Sequence, residues 1–181
     1  MEFYPTSISE VVIIVPKLLG DERGFFMEVW REEFFVRAGI NAHFVQENHS
    51  KSSLGVIRGL HYQISNPQGK LVRVVKGKVF DVAVDLRQNE PTCGQWVGHA
   101  ISEENRNLLW IPPEFAHGFY VMSQEAEVIY KCTDYYNPVG ERCIRWNDQD
   151  LGIEWPLSEG QSPVVSDKDL KGSPFCQAEL F

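Results

Sequence analysis

Residues 71–86 read Leu-Val-Arg-Val-Val-Lys-Gly-Lys-Val-Phe-Asp-Val-Ala-Val-Asp-Leu. Two arms rich in β-branched residues meet at Lys76-Gly77. Glycine can take the positive φ of a tight turn, so the stretch reads as a β-hairpin. In the second arm Phe80, Val82, Val84 and Leu86 fall on one face, and Asp81, Ala83 and Asp85 on the other. The first face packs, and the second lines either solvent or a cavity. Working outward, short apolar or alternating runs recur at residues 11–15, 25–30, 44–47, 56–62, 96–101, 108–111, 118–122, 128–132 and 143–146. Gly, Pro, Asn and Ser clusters such as Ser65-Asn66-Pro67-Gln68-Gly69 separate them. Many short strands with this punctuation predict an all-β sandwich or barrel. Helical signals are confined to residues 32–38, stopped by Gly39, and to Ser166-Asp167-Lys168-Asp169-Leu170, where a serine precedes an acid by three positions. The tail after Trp155 has little periodicity and reads as a surface wrap.

The 181 residues suit one domain, residues 1–181, with a core large enough to need no disulfide or metal staple. A net charge of −8 argues against nucleic acid or an anionic membrane as a general partner. A few local cations still suffice to hold one small anionic ligand. Cys93, Cys132, Cys143 and Cys176 show no CxxC spacing, so they read as reduced and buried rather than as a zinc knuckle or redox pair. The apolar run at residues 11–15 ends at Pro16, far short of the ~20 residues that span a bilayer. It has no basic start or cleavage site of a signal peptide. The expected setting is cytoplasmic, with no membrane partner.

Five segments carry chemistry-bearing side chains. Arg58-Gly59-Leu60-His61-Tyr62-Gln63 is strand-like, yet strict alternation sends His61 and Gln63 one way and Arg58 the other. Both can reach one site only through a bulge, for which Gly59 is the natural place. Leu109-Trp110-Ile111-Pro112-Pro113-Glu114-Phe115-Ala116-His117-Gly118-Phe119 reads as a proline turn that sets His117 at a cavity mouth. In Val128-Ile129-Tyr130-Lys131-Cys132-Thr133-Asp134-Tyr135-Tyr136 the tyrosines either pack, or supply a proton and stack on a base. Gly20-Asp21-Glu22-Arg23-Gly24 is either a solvated loop or a phosphate grip. Gln46-Glu47-Asn48-His49-Ser50-Lys51 is too polar for a core strand and reads as a hydrogen-bonding strand end.

Together the strings GDERGFF, QENHSKSS, RGLHYQ, QGKLVRVVKGKVFDVAVDLR, GQWVG, LWIPPEFAHGF, WND and GIEWP resemble the dTDP-4-dehydrorhamnose 3,5-epimerases over about residues 10–170. The resemblance implies a cupin-type jelly roll that forms a homodimer, uses no metal or cofactor, and acts on a dTDP-sugar. It makes His61 the general base and Asp169 its carboxylate partner, Asp167 being the competing match in the same motif. Tyr130 becomes the acid on the opposite sugar face, and Lys70 stands near the developing enolate. Arg23, Glu28, Gln46, Glu47, Asn48, Arg58, His117, Glu141 and Lys168 match positions that bind sugar or nucleotide, and Tyr136 the position that stacks on thymine. Two departures are visible: Tyr62 stands where the family commonly has Phe, and Glu47 where it commonly has Asp. A cupin metal site wants two histidines one residue apart on a strand, and here His61 is followed by Gln63, so no metal is expected.

The chemistry explains the residue types. A ketone at C4 acidifies the protons on C3 and C5, because the carbanion delocalises onto oxygen. Inversion needs removal from one face and return from the other, hence a base and an acid across the ring. An imidazole is mostly neutral at cellular pH and suits the base. A tyrosine suits the acid, and a lysine stabilises the enolate oxygen. The rivals are an epimerase of one carbon only, a cupin that merely binds a sugar nucleotide, and a metal-dependent cupin enzyme.

Overall fold

A computed structural model describes residues 1–157, 160 and 162–181. In chain order its strands are β1 (Glu2–Pro5), β2 (Val12–Val15), β3 (Leu18–Asp21), β4 (Gly24–Met27), β5 (Gln46–Ser53), β6 (Val56–Gln63), β7 (Lys70–Lys76), β8 (Lys78–Asp85), β9 (Trp96–Ser102), β10 (Leu108–Ile111), β11 (Phe115–Val121), β12 (Glu125–Cys132), β13 (Glu141–Cys143) and β14 (Val164–Val165). Helix α1 (Glu32–Arg37) lies between β4 and β5, and α2 (Asp167–Leu170) follows β14. One sheet runs β1-β2-β10-β7-β12-β5 and the other β13-β6-β11-β8-β9, with β14 added parallel to β6. From β5 onward consecutive strands mostly alternate between the two sheets, which is the jelly-roll pattern.

That alternation corrects the hairpin reading of residues 71–86. β7 pairs with β10 and β12, whereas β8 pairs with β11 and β9. The chain therefore leaves one sheet at Lys76 and enters the other at Lys78. Gly77 does take a positive φ, +74°. A sheet switch and a hairpin turn make the same local demand, so the sequence alone does not separate them. A Cβ on Gly77 would stand 2.0 Å from the Glu125 carbonyl oxygen. Gly77→Ala is expected to destabilise the fold by at least about 2 kcal/mol, from left-handed strain plus that clash. It should show as a lower denaturation midpoint at unchanged slope.

Three apolar clusters follow from the strand periodicity. Val72, Val74, Val79, Ala83, Leu109, Phe119 and Val128 meet between the sheets. The outer face of the first sheet is capped by α1 and the segment after it, where Phe35, Ile40 and Ala42 cover Ile14, Leu71 and Leu108. The outer face of the second sheet, with Val82, Val84 and Leu86, is covered by Ile144, Leu151, Trp155, Phe175 and Phe181. The C-terminal tail is thus an outer layer, and it packs rather than merely wraps. On β8 the polar face turns inward: Asp81 and Asp85 are wholly buried.

Other expectations shift. The run at residues 25–30 yields only the short β4, in a hairpin with β3 where Phe25 and Phe26 remain 56% and 68% exposed. Residues 44–47 mark only the start of β5, an eight-residue strand on the sheet edge. Helix α1 forms where expected, with Gly39 at φ +82° after it, and Ser166 caps α2 by accepting the Asp169 N–H. All four cysteines are free, but only Cys132 is buried; Cys176 is exposed.

Candidate active site

A cavity of about 240 Å³ opens between the sheets. Strand β6 supplies Arg58, His61 and Gln63; β11 supplies His117 and Phe119. From the facing sheet come Lys70 on β7, Tyr130 on β12, and Gln46, Asn48 and Ser50 on β5. Tyr136 and Glu141 stand at its mouth. The bulge needed to bring Arg58 and His61 together is present at Gly59, whose φ is +124°, and the β6–β11 register slips between His117 and Phe119. A Cβ on Gly59 would lie 2.5 Å from the Gly118 Cα. The two strands can approach there only with glycine.

His61 leans on a carboxylate. Its Nε2 lies 2.8 Å from Asp169 Oδ1, while Asp169 Oδ2 accepts the Gly59 N–H at 3.1 Å. Asp169 is buried in α2, whereas Asp167 is exposed. Burial pushes the Asp169 carboxyl up, but hydrogen bonds from His61, Gly59 and Ser166 outweigh it and hold the pKa below the usual carboxylate value. Asp169 thus stays ionised at neutral pH. It fixes the ring tautomer with Nε2–H as donor, which leaves Nδ1 with the free lone pair.

A second pair lies beside the first. His117 Nε2 stands 2.9 and 3.0 Å from the two oxygens of Asp81, and both residues are buried. Burial drives the His117 pKa down; Asp81 opposes this, and Lys70 and His61 reinforce it. Lys70 is buried with Nζ 3.4 Å from the His61 carbonyl oxygen. Burial lowers its pKa, opposed by Cys132, Asp81 and Glu141. The Tyr130 ring centroid is 6.4 Å from that of His117, and burial raises the phenol's pKa. Its hydroxyl is therefore a neutral donor. His61 and Tyr130 thus enter one cavity from opposite sheets.

At the mouth, Tyr136 O–H donates to Glu141 at 2.7 Å and Lys168 pairs with the same carboxylate at 2.6 Å. Gln46 Oε1 accepts the Tyr136 N–H at 2.9 Å and Gln46 Nε2 donates to Asn48 at 3.1 Å. Arg58 Nε donates to Ser52 at 2.9 Å.

Three expected site residues do not join this cavity within the chain. Arg23 sits in the β3–β4 hairpin, its side chain 86% exposed and paired with Asp21. Glu28 pairs with Arg31 at 2.7 Å. Glu47 alternates with Gln46 and Asn48 on β5, so it points away from the cavity and pairs with Lys131 at 2.5 Å. Four others enter or support the site with no role assigned to them from the sequence. Asp81 stands on the β8 face that the sequence left open between solvent and cavity. Gln63 accepts the Asn137 N–H at 2.8 Å and so shapes the loop that carries Tyr136. Phe181 lines the cavity from the tail. Ser50 lines the cavity, and its buried Oγ has no hydrogen-bond partner among the described residues.

The sequence profile of the family described as dTDP-4-dehydrorhamnose 3,5-epimerase matches residues 5–177. A Neisseria gonorrhoeae protein of that description is 54% identical over 179 residues, covering 99% of this chain but 54% of the relative, so the chain spans about half that protein's length. A Pseudomonas aeruginosa protein of the same description is 52% identical over 176 residues, covering 97% of this chain and 96% of its own. The solved structure of a Legionella pneumophila dTDP-6-deoxy-D-glucose-3,5-epimerase in complex with dTDP-4-keto-L-rhamnose is similar at a TM-score of 0.94 and 49% identity, over 98% of this chain and 94% of that one. With the profile spanning nearly the whole sequence and half the residues shared with such relatives, this chain belongs to the dTDP-4-dehydrorhamnose 3,5-epimerase family.

Proposed function

We propose that the protein converts dTDP-4-dehydro-6-deoxy-D-glucose to dTDP-4-dehydro-L-rhamnose by inverting C3 and C5. The observation that carries this reading is the placement of His61 and Tyr130 on facing sheets of one cavity. His61 Nδ1 takes the proton from C3, and the C–H electron pair moves into an enolate on O4. Lys70 stabilises that oxygen, and Tyr130 returns a proton to C3 from the other face. Solvent resets both groups, and the sequence repeats at C5. The enclosed volume is below the ~300–1,000 Å³ usual for whole drug-sized ligands. It suits the sugar, with the nucleotide across the mouth against Tyr136 and the charges of Arg58 and Lys168.

The chain acts as one domain and as a homodimer in this reading. Leu18, Leu19, Phe25 and Phe26 on the β3–β4 hairpin remain exposed in the single chain, with only Arg106 stacked on the Phe25 ring among the described residues. A second copy would bury them and could bring Arg23 and Glu28 to a neighbouring site. A cytoplasmic setting accords with four unpaired cysteines. No helix among the described residues is long and apolar enough to cross a membrane.

The test is turnover of dTDP-4-keto-6-deoxyglucose in deuterated water after chelation. Label at C3 and C5 is expected. Label at one carbon would mark a single-site epimerase, and no label a binding protein. Asp169→Asn is expected to lower kcat by about 10²-fold or more with little change in KM. An amide can donate to Nε2, which moves the ring proton to Nδ1 and removes the lone pair the reaction needs. Steady-state kinetics separates the two parameters.

A further inference from the structure

We propose that His61, Cys143 and Asp169 form a binding site for a thiophilic divalent cation of the zinc class, and that filling it switches the epimerase off. Cys143 lies directly opposite His61 in the β13–β6 register, so both side chains leave the sheet on the same side. Asp169 reaches the same point from α2. One ligand-type atom from each of the three lies within 4.8 Å of the other two. Zinc bonds to nitrogen, sulfur and oxygen of about 2.0–2.3 Å place ligand atoms roughly 3–4 Å apart. The His61–Asp169 contact would open slightly and the Cys143 sulfur would swing in.

The donor set of one imidazole, one thiolate and one carboxylate suits zinc, cadmium or cobalt better than magnesium or calcium. One supporting hydrogen bond to the carboxylate is already in place. Asp169 Oδ2 is held by the Gly59 N–H, which leaves Oδ1 to ligate. The His61 side chain is 33% exposed, so a fourth ligand can come from the cavity. Cys143 has no part in the epimerisation and does not line the cavity. Its thiol donates toward the Ile144 carbonyl at 3.5 Å, and an incoming cation displaces the thiol proton.

Binding changes the base directly. With a cation on Nε2, the ring proton resides on Nδ1, and that nitrogen can no longer accept a proton from carbon. The loss of turnover rests on the assignment of His61 as base; binding itself does not.

The test uses chelator-stripped protein titrated with cobalt(II), followed by its near-ultraviolet thiolate charge-transfer band. Turnover is measured in parallel with zinc(II). The wild type should show the band and lose at least about tenfold of its turnover at micromolar zinc, restored by a chelator. Cys143→Ala and Cys143→Ser should keep basal turnover, lack the band, and need more than about 10-fold higher zinc for the same loss. Cys176→Ala, which removes the exposed thiol, should keep both band and inhibition. A band that survives Cys143→Ala, equal zinc inhibition of that variant, or no band in the wild type would overturn the proposal. A Cys143-dependent band with undiminished turnover overturns the switch and withdraws the base role from His61, while leaving the cation site in place.

Discussion

His61→Ala abolishes deuterium uptake at both C3 and C5 and lowers kcat/KM by about 10²–10⁴-fold, the usual contribution of a positioned general base. The other cavity residues in reach cannot substitute. His117 is buried with its Nε2 turned to Asp81, and Lys70 is directed at the His61 carbonyl oxygen. Alanine also strips Asp169 of its imidazole partner, which leaves a buried carboxylate with the Gly59 N–H for support. That costs on the order of 1–3 kcal/mol. His61→Gln separates the two effects, since its amide nitrogen reaches the place of Nε2 and can still donate toward Asp169 but cannot serve as a base. Both variants should be inactive, and the glutamine variant should be the more stable. An alanine variant with wild-type turnover would remove the imidazole from the mechanism.

Tyr130→Phe separates exchange from inversion. The hydroxyl is lost while the ring, packed near His117, remains. His61, on the other sheet, can still remove a proton and return one to the same face. Wash-in of deuterium therefore continues while net conversion falls by about 10²-fold. Nuclear magnetic resonance of the sugar after partial reaction reads both quantities at once. Parallel loss of the two would mean that the phenol acts before proton abstraction rather than after it.

The sequence revealed eleven of the fourteen strands, the polar face of β8 and the need for a break at Gly59, because each is a local pattern; it missed β1, β3 and β14. Alternation places Asp81 opposite Phe80 and Val82 but leaves open whether that face meets solvent or a cavity, and a glycine is the natural place for a bulge that lets Arg58 and His61 share a face. It hid what depends on partners. The switch of sheets at Gly77 looks like a hairpin because the choice of neighbours is made by β10, β11 and β12, at a distance. Strand β5 was read short because Gln46, Asn48 and Ser50 face a polar cavity and Glu47, His49 and Lys51 face water, so no hydrophobic period remains. Arg23, Glu28 and Glu47 carry a family resemblance that no single-chain geometry reproduces, since they stand on surfaces that alternation or the β3–β4 hairpin turns outward.

The contact between His61 and Asp169 joins residues 108 positions apart. At about 5–20 residues per second on the ribosome, roughly 5–20 s separate the emergence of the base from that of its carboxylate. A nascent chain can thus pair β6 with β11 before its imidazole is oriented. The base is oriented only once α2 has emerged and docked. A chain cut after Val165 should retain much of its β-sheet circular dichroism and exchange no deuterium, so the active base depends on a segment made more than a hundred residues after it.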